Sequence, residues 1–169
     1  VFDKPVIPTN HLIGHIYANW IDNENTNSGN IEFPLLSLVV SGGHTDLVLI
    51  TGHGKINWLG GTRDDAAGEA FDKIGRLLNL PYPGGPSIEK NADKGNIKRF
   101  NFPKPLINSD NFDFSFSGLK TATYREILKL KEINNGKLTK IDIQDVCACL
   151  QKTIIDILIN KTLKAAKKY

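Results

Sequence analysis

Runs of apolar residues predict three neighbouring strands in the first part of the chain. Residues 35–41 (LLSLVVS) form a continuous apolar run, which is typical of a strand buried on both faces. Gly42-Gly43 interrupts this run, and residues 45–51 and 55–60 continue as strands on either side of a turn at Gly52-His53-Gly54. The pattern therefore predicts a meander of three antiparallel strands.

Apolar residues at helical spacing predict the remaining elements, at about 11–22, 64–79, 87–94, 119–132 and from about 139 onward. Asn10 is a candidate N-cap for the first of these helices. Asp64 and Asp65 stand at the start of the second helix, where carboxylates cap and complement the helix dipole. Thr139 and Asp142 have the spacing of a capping box for the last helix.

A further strand is predicted at Phe112, Phe114 and Phe116, which alternate with polar residues as in a strand with one buried face. The chain has 169 residues, of which 40% are apolar, and this is enough for one domain with a core. No apolar run approaches the roughly 18 residues of a membrane span.

Charge and cysteine content narrow the possible surroundings of the protein. The net charge of +3 permits contact with nucleic acid without arguing for it, because the lysines are spread along the chain. Cys147 and Cys149 are two residues apart in one predicted helix and cannot link separate parts of the fold by a disulfide. A reducing compartment is therefore expected.

His11 and His15 form the first candidate site. A spacing of four places both imidazoles on one face of a helix, one turn apart, which is a geometry for sharing one metal ion. A third ligand has to come from elsewhere, and the alternative is an amphipathic helix with two partly exposed histidines. A zinc protease is disfavoured, because Leu12 stands where its general-base Glu is needed.

Three further motifs suit a phosphorylated or nucleotide ligand, and each also has a structural interpretation. The segment 41–45 (SGGHT) lets the backbone approach a ligand with N–H groups free for phosphate, or it is a plain hairpin turn. Asp65, Glu69 and Asp72 share a helix face that could hold a metal or ribose hydroxyls, or is simply solvated. The segment 83–86 (PGGP) precedes a helix N-terminus, where a nucleotide can lie, although structural turns are commoner.

The order of these motifs resembles that of one family. The sequences HxxGH, VSGGHT, DDAAGEAFDK, YPGGP and FSFSGLKT follow one another as in the tRNA threonylcarbamoyladenosine (t6A) transferases of the TsaD type. The resemblance runs from about Pro5 to the end of the chain, and the ten-residue block Asp64–Lys73 is its most specific part.

The resemblance implies an α/β fold of the ASKHA class, shared with actin and sugar kinases, with a mixed sheet flanked by helices. Residues 1–169 would be the central part of a two-lobed domain that lacks the family's N-terminal and C-terminal segments. Because a site of this class lies between two lobes, this chain alone is expected to be inactive.

The implied activity is an acyl transfer. The family moves the threonylcarbamoyl group of threonylcarbamoyl-AMP to N6 of adenosine 37 in tRNAs that read codons starting with A. No side-chain nucleophile is evident in the motifs, so direct transfer is expected. Two alternatives stay open: a carbamoyltransferase of the same fold, and a truncated, non-catalytic member of the family that binds a partner.

The resemblance also assigns residues. His11 and His15 match two ligands of a single divalent ion, iron or zinc. The residues matching contacts to the adenylate, or to ATP, are Val39, Val40, Ser41, Gly42, Gly43, Asp72 (toward the ribose), Gly85 and Glu89. Ile13 replaces the Glu usual between the two histidines, and the family's third ligand, an Asp near its C-terminus, has no match here.

The expected partners follow from the same resemblance. They are tRNA, threonylcarbamoyl-AMP, and either a smaller paralogue with the ATPase subunits of the t6A complex or, in an organelle, a second copy of the chain. The helix at 66–78 could pair with the smaller paralogue. No membrane contact is expected, and the expected location is the cytoplasm, with an organelle as the alternative.

Overall fold

The computed structural model describes residues 4–21 and 31–169. The strands are β1 (Leu35–Val40), β2 (Thr45–Gly52) and β3 (Lys55–Gly61), and the helices are α1 (His11–Tyr17), α2 (Ala67–Leu77), α3 (Gly84–Ala92), α4 (Ser117–Ile133) and α5 (Lys140–Lys168). A short 3₁₀ turn, Ala18–Trp20, continues α1. The five predicted helices are therefore present, and α3 begins three residues earlier than Ser87.

The three strands form the predicted antiparallel meander, with β2 in the middle. The central residues of β2 are buried on both faces, whereas β1 is only half-buried along its length, because it is an edge strand of this sheet. The prediction that residues 35–41 are buried on both faces was wrong for this chain. Within residues 4–21 and 31–169 the sheet is antiparallel rather than mixed, and the parallel pairing there is one isolated bridge, Thr62 to Phe114.

The segment around Phe114 was predicted as a strand and forms only that single bridge. Its backbone is tied to the end of β3, since Phe114 N donates to Gly61 O and Phe114 O accepts from Arg63 N. Phe112, Phe114 and Phe116 are all buried, so the predicted burial is confirmed although the strand is not. The segment cannot extend further as a strand because α4 begins at Ser117.

Asp64 does not cap α2 as predicted; it caps α4 instead. Its carboxylate accepts hydrogen bonds from Phe116 N (2.7 Å) and Ser117 N (3.1 Å), and the hydroxyls of Ser115 and Ser117 also donate to it. A carboxylate is stabilising at a helix N-terminus, and here it comes from a residue about 50 positions away. Burial raises the pKa of Asp64, but these hydrogen bonds outweigh it and leave the pKa below its usual value.

The last helix, α5, carries much of the core and begins with the predicted capping box of Thr139 and Asp142. Cys147 and Cys149 are both buried in it as free thiols. Burial raises the pKa of the Cys147 thiol to about 12. The Cys149 thiol donates to Asn96 O and accepts from Phe100 N.

One guanidinium fastens the segment before residue 100 to the start of α5. Arg99 donates to Asp142 (2.6 Å) and to Asp145 (2.8 Å), and Asp145 also accepts from Asn96 N. Both carboxylates are nearly excluded from solvent. Burial raises the pKa of Asp142, but the hydrogen bonds from Thr139 and the Arg99 charge outweigh it and lower the pKa.

We predict that Asp142→Asn lowers the free energy of unfolding at pH 7 by about 1–3 kcal/mol, because Arg99 and Thr139 lose a charged acceptor. Urea denaturation measures this loss. Asp110→Asn is the matched control, since the Asp110 carboxylate is fully exposed and should change stability little. An equally large loss of unfolding free energy in Asp110→Asn would contradict this role of Asp142.

The same substitution should show a defined pH dependence. Asp142 binds its proton more weakly in the folded chain than in the unfolded chain, whose pKa is near 3.8. The stability it contributes is therefore present above that value and is lost as the pH falls through the lower folded-state pKa. The stability difference between wild type and Asp142→Asn should shrink below about pH 4.

Candidate functional site

The site is built where the turn between β1 and β2 meets the N-terminus of α2. The N-cap of α2 is Ala66, which has no side chain that can accept a hydrogen bond. The turn supplies the acceptors instead: Thr45 Oγ1 accepts from Ala67 N at 2.9 Å, and Ser41 O accepts from Gly68 N at 3.2 Å. The sheet thus satisfies two of the free donors with which every helix begins.

This contact requires a glycine in the first turn of α2. A Cβ on Gly68 would lie 2.6 Å from Ser41 O and 2.7 Å from Gly42 Cα, and both are backbone atoms that cannot turn aside. Gly68 therefore allows the helix to press directly on the turn.

The turn is held by its own serine. The Ser41 hydroxyl accepts from Gly43 N (3.3 Å) and His44 N (3.0 Å), and Ser41 N donates to His44 O. The expectation that the N–H groups of this turn are free for phosphate is therefore wrong for Gly43. Of the backbone amides in this turn, the Gly42 N–H has no acceptor among residues 4–21 and 31–169.

Gly42 and Gly43 are not explained by packing or by backbone conformation. A Cβ at either position would meet no atom within 4 Å, and neither residue has a positive φ. Their missing side chains leave open surface beside the start of α2.

Asp72 links this turn to the next helix. It lies one turn after Gly68 on the same face of α2. Its Oδ1 accepts from Gly84 N at 2.7 Å, which caps the first residue of α3. A Cβ on Gly84 would lie 2.5 Å from Phe71 O, so α2 and α3 cross at backbone contact.

Gly85 and Glu89 continue the same surface along α3. A Cβ on Gly85 would meet nothing within 4 Å, and Glu89, one turn later, is exposed. We call the resulting row of residues the glycine ledge; it consists of Ser41, Gly42, Gly43, Gly68, Asp72, Gly85 and Glu89. Two contacts thus connect the three segments that carry these residues: Gly68 with Ser41, and Asp72 with Gly84.

The two histidines of α1 lie close to the Ser41 end of the ledge. His11 Nε2 and His15 Nε2 are 3.2 Å apart, and both side chains are exposed. His44, which sequence reasoning did not select, comes near them: its ring centre is 6.2 Å from that of His11. Its position directly after Gly42-Gly43 is the signal that could have identified it.

The imidazole pair has the donor chemistry for a divalent ion. Two Nε2 atoms 3.2 Å apart can share an N–H···N hydrogen bond, or both can bind one cation when both are unprotonated. No group of three or more His, Cys, Asp or Glu residues with metal-binding geometry occurs in residues 4–21 and 31–169. The pair therefore fits part of a metal centre.

Val39 and Val40 lie between the histidines and the ledge. Together with His15 and Asn19 they line a cavity of about 230 Å³ between α1 and β1. Val40 is largely exposed and Val39 is half-buried. The predicted contact segment is therefore accessible along its length.

The acidic stripe on α2 divides into two parts. Asp65 and Glu69 both pair with Lys73, and a hydrogen bond from the Lys73 ammonium lowers the pKa of Glu69. Asp72 is not part of this group and faces α3. Of the three predicted carboxylates, only Asp72 contributes to the ledge.

We predict that Gly68→Ala destabilises the chain by about 1–3 kcal/mol, because its Cβ overpacks against the backbone of Ser41 and Gly42. Gly43→Ala is the matched control, since its Cβ points into open space and should change stability by less than about 0.5 kcal/mol. Thermal and urea denaturation of both variants measure the difference. Equal losses would show that the turn and α2 are not in the contact described.

A glycine-lined surface at a helix start suits a phosphorylated ligand, and an imidazole pair suits a divalent ion. The family model of tRNA N6-adenosine threonylcarbamoyltransferases (TsaD) matches residues 1–169. The chain belongs to this family.

Curated relatives support this assignment. Proteins named tRNA N6-adenosine threonylcarbamoyltransferase are 52% identical over 165 residues in Thermosipho melanesiensis and 46% identical over 167 residues in Syntrophomonas wolfei. A third, from Staphylococcus epidermidis, is 44% identical over 168 residues. These alignments cover 98%, 99% and 99% of this chain, and 46% of each relative.

The chain therefore spans about half the length of the curated relatives it matches. Among the helices of the described segments, none has the continuous apolar length that crossing a bilayer requires.

Proposed function

We propose that these residues form part of an acyltransferase that moves a threonylcarbamoyl group from threonylcarbamoyl-AMP to N6 of adenosine 37 in tRNA. The proposal concerns the whole protein, because the chain spans only 46% of its relatives' length. The observation that carries it is the glycine ledge. Its open glycines have no structural reason to be glycine, and the exposed histidine pair lies beside them.

The ledge would hold the adenylate. Asp72 uses Oδ1 for Gly84 N, and Oδ2 is left to accept a hydrogen bond from a ribose hydroxyl. Gly85 and Glu89 extend the same side, where the backbone of α3 is open to a ligand. At the other end, the Gly42 amide offers a donor for the phosphate.

The histidine pair would hold the metal. His11 and His15 would bind a divalent ion, iron or zinc, through Nε2, with His44 close enough to the pair to approach it. When bound, such an ion supplies Lewis-acid polarisation of a carbonyl or phosphoryl oxygen.

The transfer itself requires little more than positioning. The exocyclic amine attacks the carbamoyl carbonyl carbon, the bond from that carbon to the phosphate oxygen breaks, AMP leaves, and the amine loses a proton. We infer direct transfer. The Ser41 hydroxyl accepts hydrogen bonds from two backbone amides of its own turn, and this favours a structural role for it over that of a nucleophile.

The wider context is proposed on the same basis. The meander and its following helices would belong to a two-lobed ASKHA domain, with the adenylate between the lobes. Besides tRNA, the proposed partners are a smaller paralogue and ATPase subunits, or a second copy of the chain in an organelle, and the proposed location is the cytoplasm or an organelle.

The metal proposal predicts that His11→Ala and His15→Ala each abolish stoichiometric zinc or iron binding and t6A formation in the whole protein. Elemental analysis after metal loading measures the first, and nucleoside analysis of tRNA incubated with threonylcarbamoyl-AMP measures the second. Lys55→Ala, an exposed change in β3, is the control. Full metal content and full t6A in either single variant would refute the proposal.

The ledge proposal predicts that Gly43→Val weakens binding of AMP or of an unreactive threonylcarbamoyl-AMP analogue by at least about tenfold, because the new side chain fills ligand space. Calorimetry on the whole protein measures the affinity. Gly52→Val in β2 is the matched control, since its Cβ has only an ordinary contact with Lys55. Unchanged affinity in Gly43→Val would place the adenylate elsewhere.

A further inference from the structure

Within residues 4–21 and 31–169, few contacts fix the position of α1, the helix that bears His11 and His15. α1 has seven residues, and helices of that length are not stable in water without tertiary contacts. Only one of its residues, Ile16, is buried, in a small cluster with Val48 and Ile50 of β2. The position of both imidazoles therefore depends on a few contacts.

Four aromatic rings near the end of α1 provide further contacts. The ring centre of His53, in the turn between β2 and β3, lies 5.9 Å from that of Tyr17, 5.8 Å from that of Trp20 and 5.0 Å from that of Phe33. We call Tyr17, Trp20, Phe33 and His53 the aromatic clamp. These distances are typical of stacked and edge-to-face pairs, in which the exposed His53 ring packs against three half-buried rings.

Within residues 4–21 and 31–169, the clamp has one polar contact. Gly54 N donates to Tyr17 Oη at 3.0 Å. Gly54 has a φ of +73°, a conformation that favours glycine, so the turn presents this amide in a fixed direction. Tyr17 is two residues after His15, and the turn therefore holds the helix immediately next to the histidine pair.

We propose that the turn between β2 and β3 is a positioning element for the metal-binding helix, acting through the His53 ring and the Gly54 amide. This rests on the proposed function, in which His11 and His15 bind the metal. His53 and Tyr17 are positioning residues, because they act through α1 and not on the ion. The clamp keeps α1 on the sheet, beside His44 and the glycine ledge.

The proposal has a quantitative consequence. If only a fraction of molecules have α1 docked, the apparent affinity for metal is reduced by that fraction. A variant in which α1 is docked about one fifth of the time would therefore bind zinc about fivefold more weakly, with unchanged ligands.

The test combines hydrogen–deuterium exchange with zinc titration in the whole protein. The variants are His53→Ala, which removes the central ring, His53→Phe, which restores a ring, and Tyr17→Phe, which removes only the hydroxyl. Trp58→Ala is the matched control. Trp58 is an aromatic residue on β3 whose Nε1 donates a hydrogen bond to Asp46, and it is not part of the clamp.

We expect His53→Ala to raise the zinc Kd by about fivefold and to speed amide exchange in α1 by more than about fivefold, because the undocked fraction starts small, while exchange in β2 and α5 stays unchanged. His53→Phe should recover most of both effects, Tyr17→Phe should show a smaller change in the same direction, and Trp58→Ala should show none.

Unchanged exchange of α1 in both His53→Ala and Tyr17→Phe would overturn the proposal. If His53→Ala exchanges faster everywhere because it folds poorly, Tyr17→Phe alone decides. A wild-type whole protein that binds no zinc would count against the metal site. The exchange of α1 would still decide whether the clamp holds the helix.

Discussion

The N-terminus of α2 rests on the turn between β1 and β2, and the rest of the site depends on that contact. Ala66 gives the helix no side-chain cap, so its first amides bind Ser41 O and Thr45 Oγ1. Because Gly68 brings the two backbones together, the direction of α2 is set by the sheet. Asp72 then fixes the start of α3, one turn further along. The ledge exists because each helix start is held by the element before it.

Carboxylates from other elements also cap helix N-termini in this chain. Asp64 caps α4 and not the helix that its own sequence neighbours suggest, and Asp72, from the middle of α2, caps α3. Asp142 caps its own helix through Thr139 while also binding Arg99 from a distant segment. Several of the acidic residues thus connect elements of the fold.

Sequence patterns predicted the features that depend on neighbouring residues. The five helices, the antiparallel meander and the capping box at Thr139 follow from local spacing, and so does the pairing of His11 with His15. Two of the features that failed depend on contacts about 50 residues apart: the role of Asp64, and the single bridge at Phe114 in place of a strand. The same limit hid His44, since its proximity to His11 exists only after α1 docks on the sheet.

The two buried thiols of α5 have a consequence for how the chain can be observed. Cys147 holds its proton far more firmly than a free thiol, and Cys149 is engaged with the backbone of Asn96 and Phe100. Alkylating reagents require an accessible thiolate, so neither sulfur reacts while α5 is packed. Labelling of these cysteines therefore reports the opening of the core helix. Its rate measures local unfolding without the introduction of a new cysteine.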